Sequence, residues 1–242
     1  MASTNQQLAQ QYQQKTDKQH ILENPDTYIG SIEMVDTNMW VLPVTKESEG
    51  SSADSSKIVL NHFEYIPGLY KLFDEGIVNC RDHAIRMVQM SDRQPTVDHK
   101  LVSYINTTVS EDGVITFEND GNGIDIAMHP EYKIWIPEMI FGHLRTSTNY
   151  DENKKEKIVG GKNGFGFKLV LIWSSWGRIE TVDHVRGLKY IQEFKNNLDE
   201  ICPPKITKAT TAKPYTKVSF RPDYARSEEH TSELQSRGLI SY

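Results

Sequence analysis

Between Pro67 and Pro95, apolar or small residues recur at steps of three and four: Leu69, Leu72, Phe73, Gly76, Ile77, Cys80, Ala84, Met87 and Val88. That spacing builds one apolar stripe along a helix and leaves the opposite face polar. Pro67 suits the first turn, where its missing N–H costs nothing, and the helix is expected to stop before Pro95. The text on either side reads differently. Residues 39–44 and 58–63 are short strand candidates, separated by a polar loop at 45–57 that lacks aromatic or branched apolar residues. Residues 101–109 and 114–118 form a hairpin around Glu111, Asp112 and Gly113. Residues 134–144 read as helix, 145–157 as a polar loop, and 168–173 as a helix opened by the glycine cluster at 160–166. Further strands are expected at 178–183, 188–194 and 216–221, with a turn at Val185, Arg186 and Gly187. No internal repeat is visible. The predicted fold class is α+β: a two-layer sandwich whose mostly antiparallel, mixed sheet is covered by helices on one face.

Composition narrows the function classes. The chain has 242 residues, with Lys+Arg 27 against Asp+Glu 33 and a formal net charge of −6. An acidic balance argues against a chain whose main task is gripping phosphate backbones, and the basic residues are scattered rather than striped. No run of about 18 apolar residues appears, so a membrane span is not expected. The polar N-terminus has no signal-peptide core. Two cysteines, Cys80 and Cys202, without CxxC spacing, are too few for a disulfide scaffold and suit a reducing compartment. Residues 1–20, rich in glutamine, read as an N-terminal arm. At the other end, Arg226 to Ser236 reads RSEEHTSELQS, a string that a common sequencing-adapter oligonucleotide encodes in frame. Residues 226–242 are therefore expected to be a non-native tail, with the folded domain running from 21 to 225.

Three groups of residues carry chemistry. Gly161, Lys162, Asn163, Gly164, Phe165 and Gly166 precede an apolar helical run. Glycines there let backbone N–H groups approach an anion, as at phosphate sites before helices. The spacing is neither Walker A nor GxGxxG, and by itself it also suits a plain turn. Glu75 and Asn79 stand one helical turn apart and off the apolar stripe, and Asp82 and His83 continue that polar face. An amide oxygen suits Mg²⁺, and a neighbouring carboxylate suits activation of water, although a solvated helix face presents the same pair. Asn119, Asp120, Gly121, Asn122 and Gly123 directly follow a strand. A polar side chain at a strand end, beside glycines, can hydrogen-bond a nucleobase edge; a simple β-turn favours the same residues.

In this order and spacing the three groups resemble the GHKL (Bergerat-fold) ATPases. The intervening text is similar to type IIA DNA topoisomerases of the eukaryotic and large-virus kind. It includes KTDKQHILENPDTYIGSIE (15–33), YIPGLYKLFDEGIVNCRDH (65–83), MIFGHLRTSTNYDENKKEKIVGGKNGFGFK (139–168) and YTKVSFRPD (215–223). The resemblance covers roughly residues 12–224. It implies ATP and Mg²⁺ as cofactors and an ATP-operated N-terminal gate. Two copies would dimerise on ATP, and the full-length enzyme would pass one DNA duplex through another.

Position by position, the resemblance implies that Glu75 is the general base that activates water and Asn79 the Mg²⁺ ligand. Asn119 becomes the adenine contact, in one loop with Gly123. Ser147, Thr148 and Asn149 fall near ribose and phosphates. Gly161, Lys162, Asn163, Gly164, Phe165 and Gly166 form the phosphate lid, Lys168 is phosphate-proximal, and Thr216 sits behind the adenine. Tyr12 aligns, more loosely, with a strap tyrosine. Implied partners are ATP, a second copy and, through the full-length enzyme, DNA, with no membrane. The implied localisation is intracellular: nuclear in a eukaryote, viral factory or host cytoplasm for a virus. The alternative is a GHKL interaction module, or a chaperone, mismatch-repair or histidine-kinase ATPase, without topoisomerase activity.

The chain departs from the family in places. Gly76 stands where relatives carry a branched apolar residue, at a cost of about 1 kcal/mol of helix stability. His83 replaces a common asparagine, and Phe167 replaces a small residue at the start of the lid helix. The family also needs a glutamine–lysine loop from a following transducer domain, which these residues do not include. The fragment alone is therefore expected to bind ATP and hydrolyse it weakly.

Overall fold

The computed structural model describes residues 15–42, 57–144 and 166–226. Helix α1 (Asp17–Glu23) begins at a capping box: the Thr16 hydroxyl accepts from the Gln19 N–H, and the Gln19 side chain accepts from the Thr16 N–H. Ile21 on this helix is fully buried, at the first residue of the domain read from the sequence, while the helix itself starts four residues earlier, within the stretch read as an arm. A short helix, α2 (Pro25–Tyr28), follows. Strands β1 (Val35–Val41) and β2 (Val59–Tyr65) pair antiparallel as a separate two-stranded sheet.

The long stripe becomes helix α3 (Pro67–Arg93), with Pro67 in its first turn. Leu72, Gly76, Cys80 and Met87 are buried as the spacing predicts. Two residues depart from the pattern. Val88, assigned to the stripe, is exposed, and Asp82, assigned to the polar face, is buried.

The hairpin is β3 (Ile105–Val109) and β4 (Ile115–Asp120). Its first strand starts four residues later than the β-rich text suggests. The reason lies across the hairpin: the Asp120 carboxylate accepts the Ser103 N–H at 2.7 Å and the Tyr104 N–H at 3.1 Å, taking donors that a ladder would need. Helices α4 (Ile136–Gly142) and α5 (Gly166–Ile172) precede β5 (Ser174–Asp183) and β6 (Leu188–Lys195). Strands β7 (Glu200–Ile201) and β8 (Lys205–Lys208), unforeseen in the sequence, both pair with β6. Strand β9 (Tyr215–Pro222) then returns to the middle, and a single 3-10 turn, Tyr224–Arg226, closes the described chain.

The large sheet runs β3-β4-β9-β5-β6-β7, with β8 on β6. Every pairing among the described residues is antiparallel, so the mixed character expected from sequence is not present in them. Register fixes what faces the helices. Phe117, Val218 and Ile179 align across β4, β9 and β5, and the next row toward one end is Asn119, Thr216 and Thr181. An apolar floor thus ends in a polar row. α3 and α5 cover the floor through Leu72, Cys80, Leu169, Val170 and Ile172, which share one core with Ile115, Phe117 and Phe220.

The other sheet face is a ladder of paired charges. Glu180 receives Lys189 at 2.8 Å, Arg178 at 3.1 Å and the Tyr215 hydroxyl, while Lys217 meets Glu118 at 3.3 Å. Burial alone would raise the Glu180 carboxyl, but these donors outweigh it and bring it down to about 2 from the ordinary 4.5. The folded carboxyl is therefore harder to protonate than the unfolded one. Its contribution to stability is complete above pH 4.5 and is lost as the pH falls toward 2. Acid melts of the parent and of Glu180→Gln should diverge above that window and converge within it; parallel curves would remove Glu180 from the acid transition.

Candidate functional site

The site is built where the polar row of the sheet meets α3 and the start of α5. Glu75 and Asn79 project side by side from α3, as their spacing predicts. The Asn79 amide nitrogen donates to the Glu75 backbone carbonyl, which leaves the amide oxygen to act as an acceptor. The two Glu75 oxygens are differently engaged. Oε1 pairs with the Lys71 ammonium at 2.9 Å. Oε2 lies 3.0 Å from where a side chain on Gly166 would begin, and the Asn79 amide lies 4.0 Å from the same point. Any side chain at 166 would therefore crowd the carboxylate.

Lys71 was not foreseen, though Lys71 and Glu75 at i, i+4 are a readable pair. Burial would lower its ammonium, but Asp74 and Glu75 outweigh burial and raise it. Lys168, the third residue of α5, is buried, and burial lowers its ammonium from 10.5 to about 8.

Asn119 and Asp120, read from the sequence as part of the loop, are the last two residues of β4, and they divide the labour with the loop that follows. Asn119 is buried and sits opposite Thr216, on the face turned toward the helices. Its amide nitrogen donates to the Asp120 carbonyl at 2.7 Å, so its side-chain oxygen remains available as an acceptor. Asp120 and Asn122 instead hold the preceding segment. Besides its bonds to Ser103 and Tyr104, Asp120 stays ionised: burial raises its carboxyl, but these donors lower it further. Asn122 accepts the Lys100 N–H at 2.8 Å. Gly121 adopts φ +96°, a left-handed conformation that costs glycine little. Gly123 is pressed onto β5, where an added Cβ would stand 1.8 Å from the Val182 carbonyl oxygen.

Thr181 ties this loop down. Its hydroxyl receives the Ile124 N–H at 3.0 Å and meets the Thr216 hydroxyl at 3.1 Å. Asp183 does the same one step on, accepting the Ile126 N–H at 2.9 Å and the Arg186 guanidinium at 2.8 Å. Sequence reasoning missed both, because a Thr and an Asp at the end of a strand carry no distinctive spacing.

His83 lies two turns beyond Glu75 and packs on Gly121: Nε2 is 3.3 Å from the point where a Gly121 side chain would begin. Burial, with help from Arg86, lowers its imidazole to about 4, so it is neutral near pH 7. Thus α3 meets β4 at Gly76 and the loop at His83. Of the predicted set, Glu75 and Asn79 meet Gly166 at the start of α5, Asn119, Gly123 and Thr216 gather around Thr181, and Lys168 stands two residues beyond Gly166 on α5. Tyr12, Ser147, Thr148, Asn149, Gly161, Lys162, Asn163, Gly164 and Phe165 lie outside the described residues.

Comparison with known proteins bears on this arrangement. No family model matches the chain. The DNA topoisomerase 2 of Acanthamoeba polyphaga mimivirus is 44% identical over 219 residues, which is 90% of this chain and 16% of that protein. The crystal structure of the ATPase region of Saccharomyces cerevisiae topoisomerase II superposes with TM-score 0.75 at 38% identity, covering 91% of this chain and 53% of that one. The ATPase and transducer domains of Balamuthia mandrillaris DNA topoisomerase II give TM-score 0.75 at 35% identity, covering 94% and 55%. The chain thus spans about half of these structures and a far smaller part of the curated relative. With an α+β fold of the GHKL kind and this identity along nine-tenths of its length, the chain matches the ATPase region of type II DNA topoisomerases.

Proposed function

We propose that this chain binds and hydrolyses ATP as the N-terminal gate of a type II DNA topoisomerase. The observation that carries the reading is the meeting of Glu75 and Asn79 with Gly166 at the start of α5. In this reading Asn119 turns its free side-chain oxygen to the base edge. An acceptor in a buried pocket pairs with the amino group of adenine and opposes the carbonyl that guanine carries at the same place. Thr216 and Thr181 close the pocket behind it. Glu75 takes the proton of the attacking water through Oε2, while Lys71 holds Oε1 and fixes the rotamer.

The donor set suits Mg²⁺. Asn79 offers a hard amide oxygen, and no group of three or more His, Cys, Asp or Glu able to hold a metal occurs among the described residues. That fits an ion held by one side chain and the nucleotide's own phosphates. When bound, Mg²⁺ would neutralise phosphate charge.

In the whole protein, ATP binding would dimerise two such domains and trap a DNA segment, with a separate cleavage core acting on DNA. The domain would run from 21 to 225, behind an arm at 1–20, and the residues from 226 to 242 would be foreign. No described helix is long and apolar enough to cross a membrane. An intracellular site, nuclear or viral-factory, goes with this function.

Equilibrium binding of a fluorescent ATP analogue, competed by ATP and by GTP, tests the reading. ATP should compete at least tenfold better than GTP, and Asn119→Ala should erase most of that preference. No competition by either nucleotide would refute the proposal.

Lys168 supplies a second check. A polyphosphate beside its ammonium favours the charged form, which burial alone disfavours above pH 8. Binding at pH 9 should therefore take up a proton, read as a buffer-dependent heat in calorimetry, and Lys168→Met should abolish the uptake. Equal heats in all buffers would move Lys168 away from the phosphates.

A further inference from the structure

Gly76 follows Glu75 on α3 and lies against the sheet. A Cβ at 76 would stand 2.1, 2.5 and 2.7 Å from three carbons of the Phe117 ring, closer than any real contact. The ring has nowhere to go. Phe117 is 2% exposed and is boxed by Phe73 at 5.1 Å and by Phe220 at 6.3 Å, stacked at 21°. Phe220 in turn meets Phe167 edge-on at 5.8 Å. Phe167 follows Gly166, which abuts the Glu75 carboxylate. Glu75, Gly76, Phe117, Phe220, Phe167 and Gly166 therefore form a closed circuit of contacts. A change of thickness anywhere in it alters the gap between Glu75 and Gly166.

We propose that Gly76 is a positioning residue for Glu75: its missing side chain seats α3 on the Phe117 ring and so sets where the carboxylate stands against Gly166. The inference rests on reading Glu75 as the base. The same circuit also accounts for Phe167, which fills the layer between Phe141, at 5.4 Å, and Phe220. A methyl group at 76 needs a normal contact of about 3.5 Å with the ring, so α3 must lift by more than 1 Å. Displacement by ~1 Å is enough to cost about a hundredfold in rate.

The test compares the parent with Gly76→Ala, Phe117→Leu and the double variant. Single-turnover ATP hydrolysis is measured per folded molecule, well below the melting temperature, alongside nucleotide affinity. Gly76→Ala should slow the chemical step by about thirtyfold or more while affinity changes less than about threefold. The double variant should return to within about fivefold of the parent, since the smaller side chain restores the seat. If Gly76→Ala turns over at the parental rate and only melts earlier, the glycine is structural and the proposal fails. It fails equally if the double variant stays slow.

Should Gly76→Ala not fold, Phe117→Leu alone decides. Lowering the seat must slow turnover by at least threefold at near-parental affinity, and an unchanged rate overturns the proposal. Should the parent itself not hydrolyse ATP, the functional reading falls. Crystal structures of the parent and the double variant against Phe117→Leu then decide the inference. A Glu75 carboxylate that keeps its place against Gly166 in all three refutes it.

Discussion

Replacing Glu75 by alanine is expected to slow single-turnover ATP hydrolysis by two orders of magnitude or more, in the range of about 10²–10⁴ that a positioned general base contributes. Nucleotide affinity should change by no more than a few fold. Two features make this separation sharp. The carboxylate faces Gly166 through one oxygen only, so it is not the side chain that holds the loop after β4. Removing it also leaves no stranded charge, because Lys71 keeps Asp74 at 2.9 Å. The fold should therefore survive the substitution. Rapid-quench measurement with enzyme in excess over ATP reads the chemical step directly, and Glu75→Gln should match the alanine variant because an amide cannot accept the proton. If affinity collapses together with rate, Glu75 builds the pocket and does not act on water.

The second large effect is expected at Gly123. Alanine there would place a methyl group 1.8 Å from the Val182 carbonyl oxygen, 2.6 Å from its carbon and 3.0 Å from the Thr181 hydroxyl. None of these can yield cheaply. Val182 is fully buried in β5, where it pairs with Lys189 of β6, and Thr181 is held between Ile124 and Thr216. Overpacking against backbone in a central strand costs on the order of 3 kcal/mol or more. For a domain of this size that lowers the melting temperature by roughly 6–12 °C. Binding should fall as well, since the loop next to Asn119 must lift from β5. By contrast, Gly121→Ala meets mainly the Val102 methyl, at 2.7 Å, which a side chain can move, although its φ of +96° adds strain. Its melting temperature should drop less. A Gly123→Ala protein that melts within 2 °C of the parent would disprove the close approach.

Much of this is legible in the sequence alone. α3 was readable because a long amphipathic period, a proline at its start and one beyond its end all point the same way. The period also put Glu75 and Asn79 on a shared face. Strand β9 and the hairpin of β5 and β6 were readable from turn residues and β-branched text. What was not legible depended on partners distant in sequence. The Asp120 carboxylate withdraws Ser103 and Tyr104 from β3, and only the fold brings residue 120 to residue 103. Strands β7 and β8, two and four residues long, are too short to have a period. Asp82 reads as solvated because helical spacing says which side a residue is on, and not what stands there. Gly76 shows the same limit. Propensity counts it as a loss of helix stability, whereas packing makes it the only residue that fits over Phe117. Thr181 and Asp183 gain their roles from loops that arrive more than fifty residues earlier in the chain.

The contact between Gly123 and Val182 is unequal in what it permits over many generations. Residue 182 contributes a carbonyl, which every amino acid carries, so that side of the contact places no demand on codon 182. Residue 123 contributes the lack of a side chain, which only glycine can offer. As far as this contact is concerned, one side accepts any residue and the other only glycine. A change that reshapes the pocket floor, including one selected by a competing ligand, must therefore arise at neighbouring side chains such as Thr181 or Thr216, because the floor itself offers selection no residue to alter.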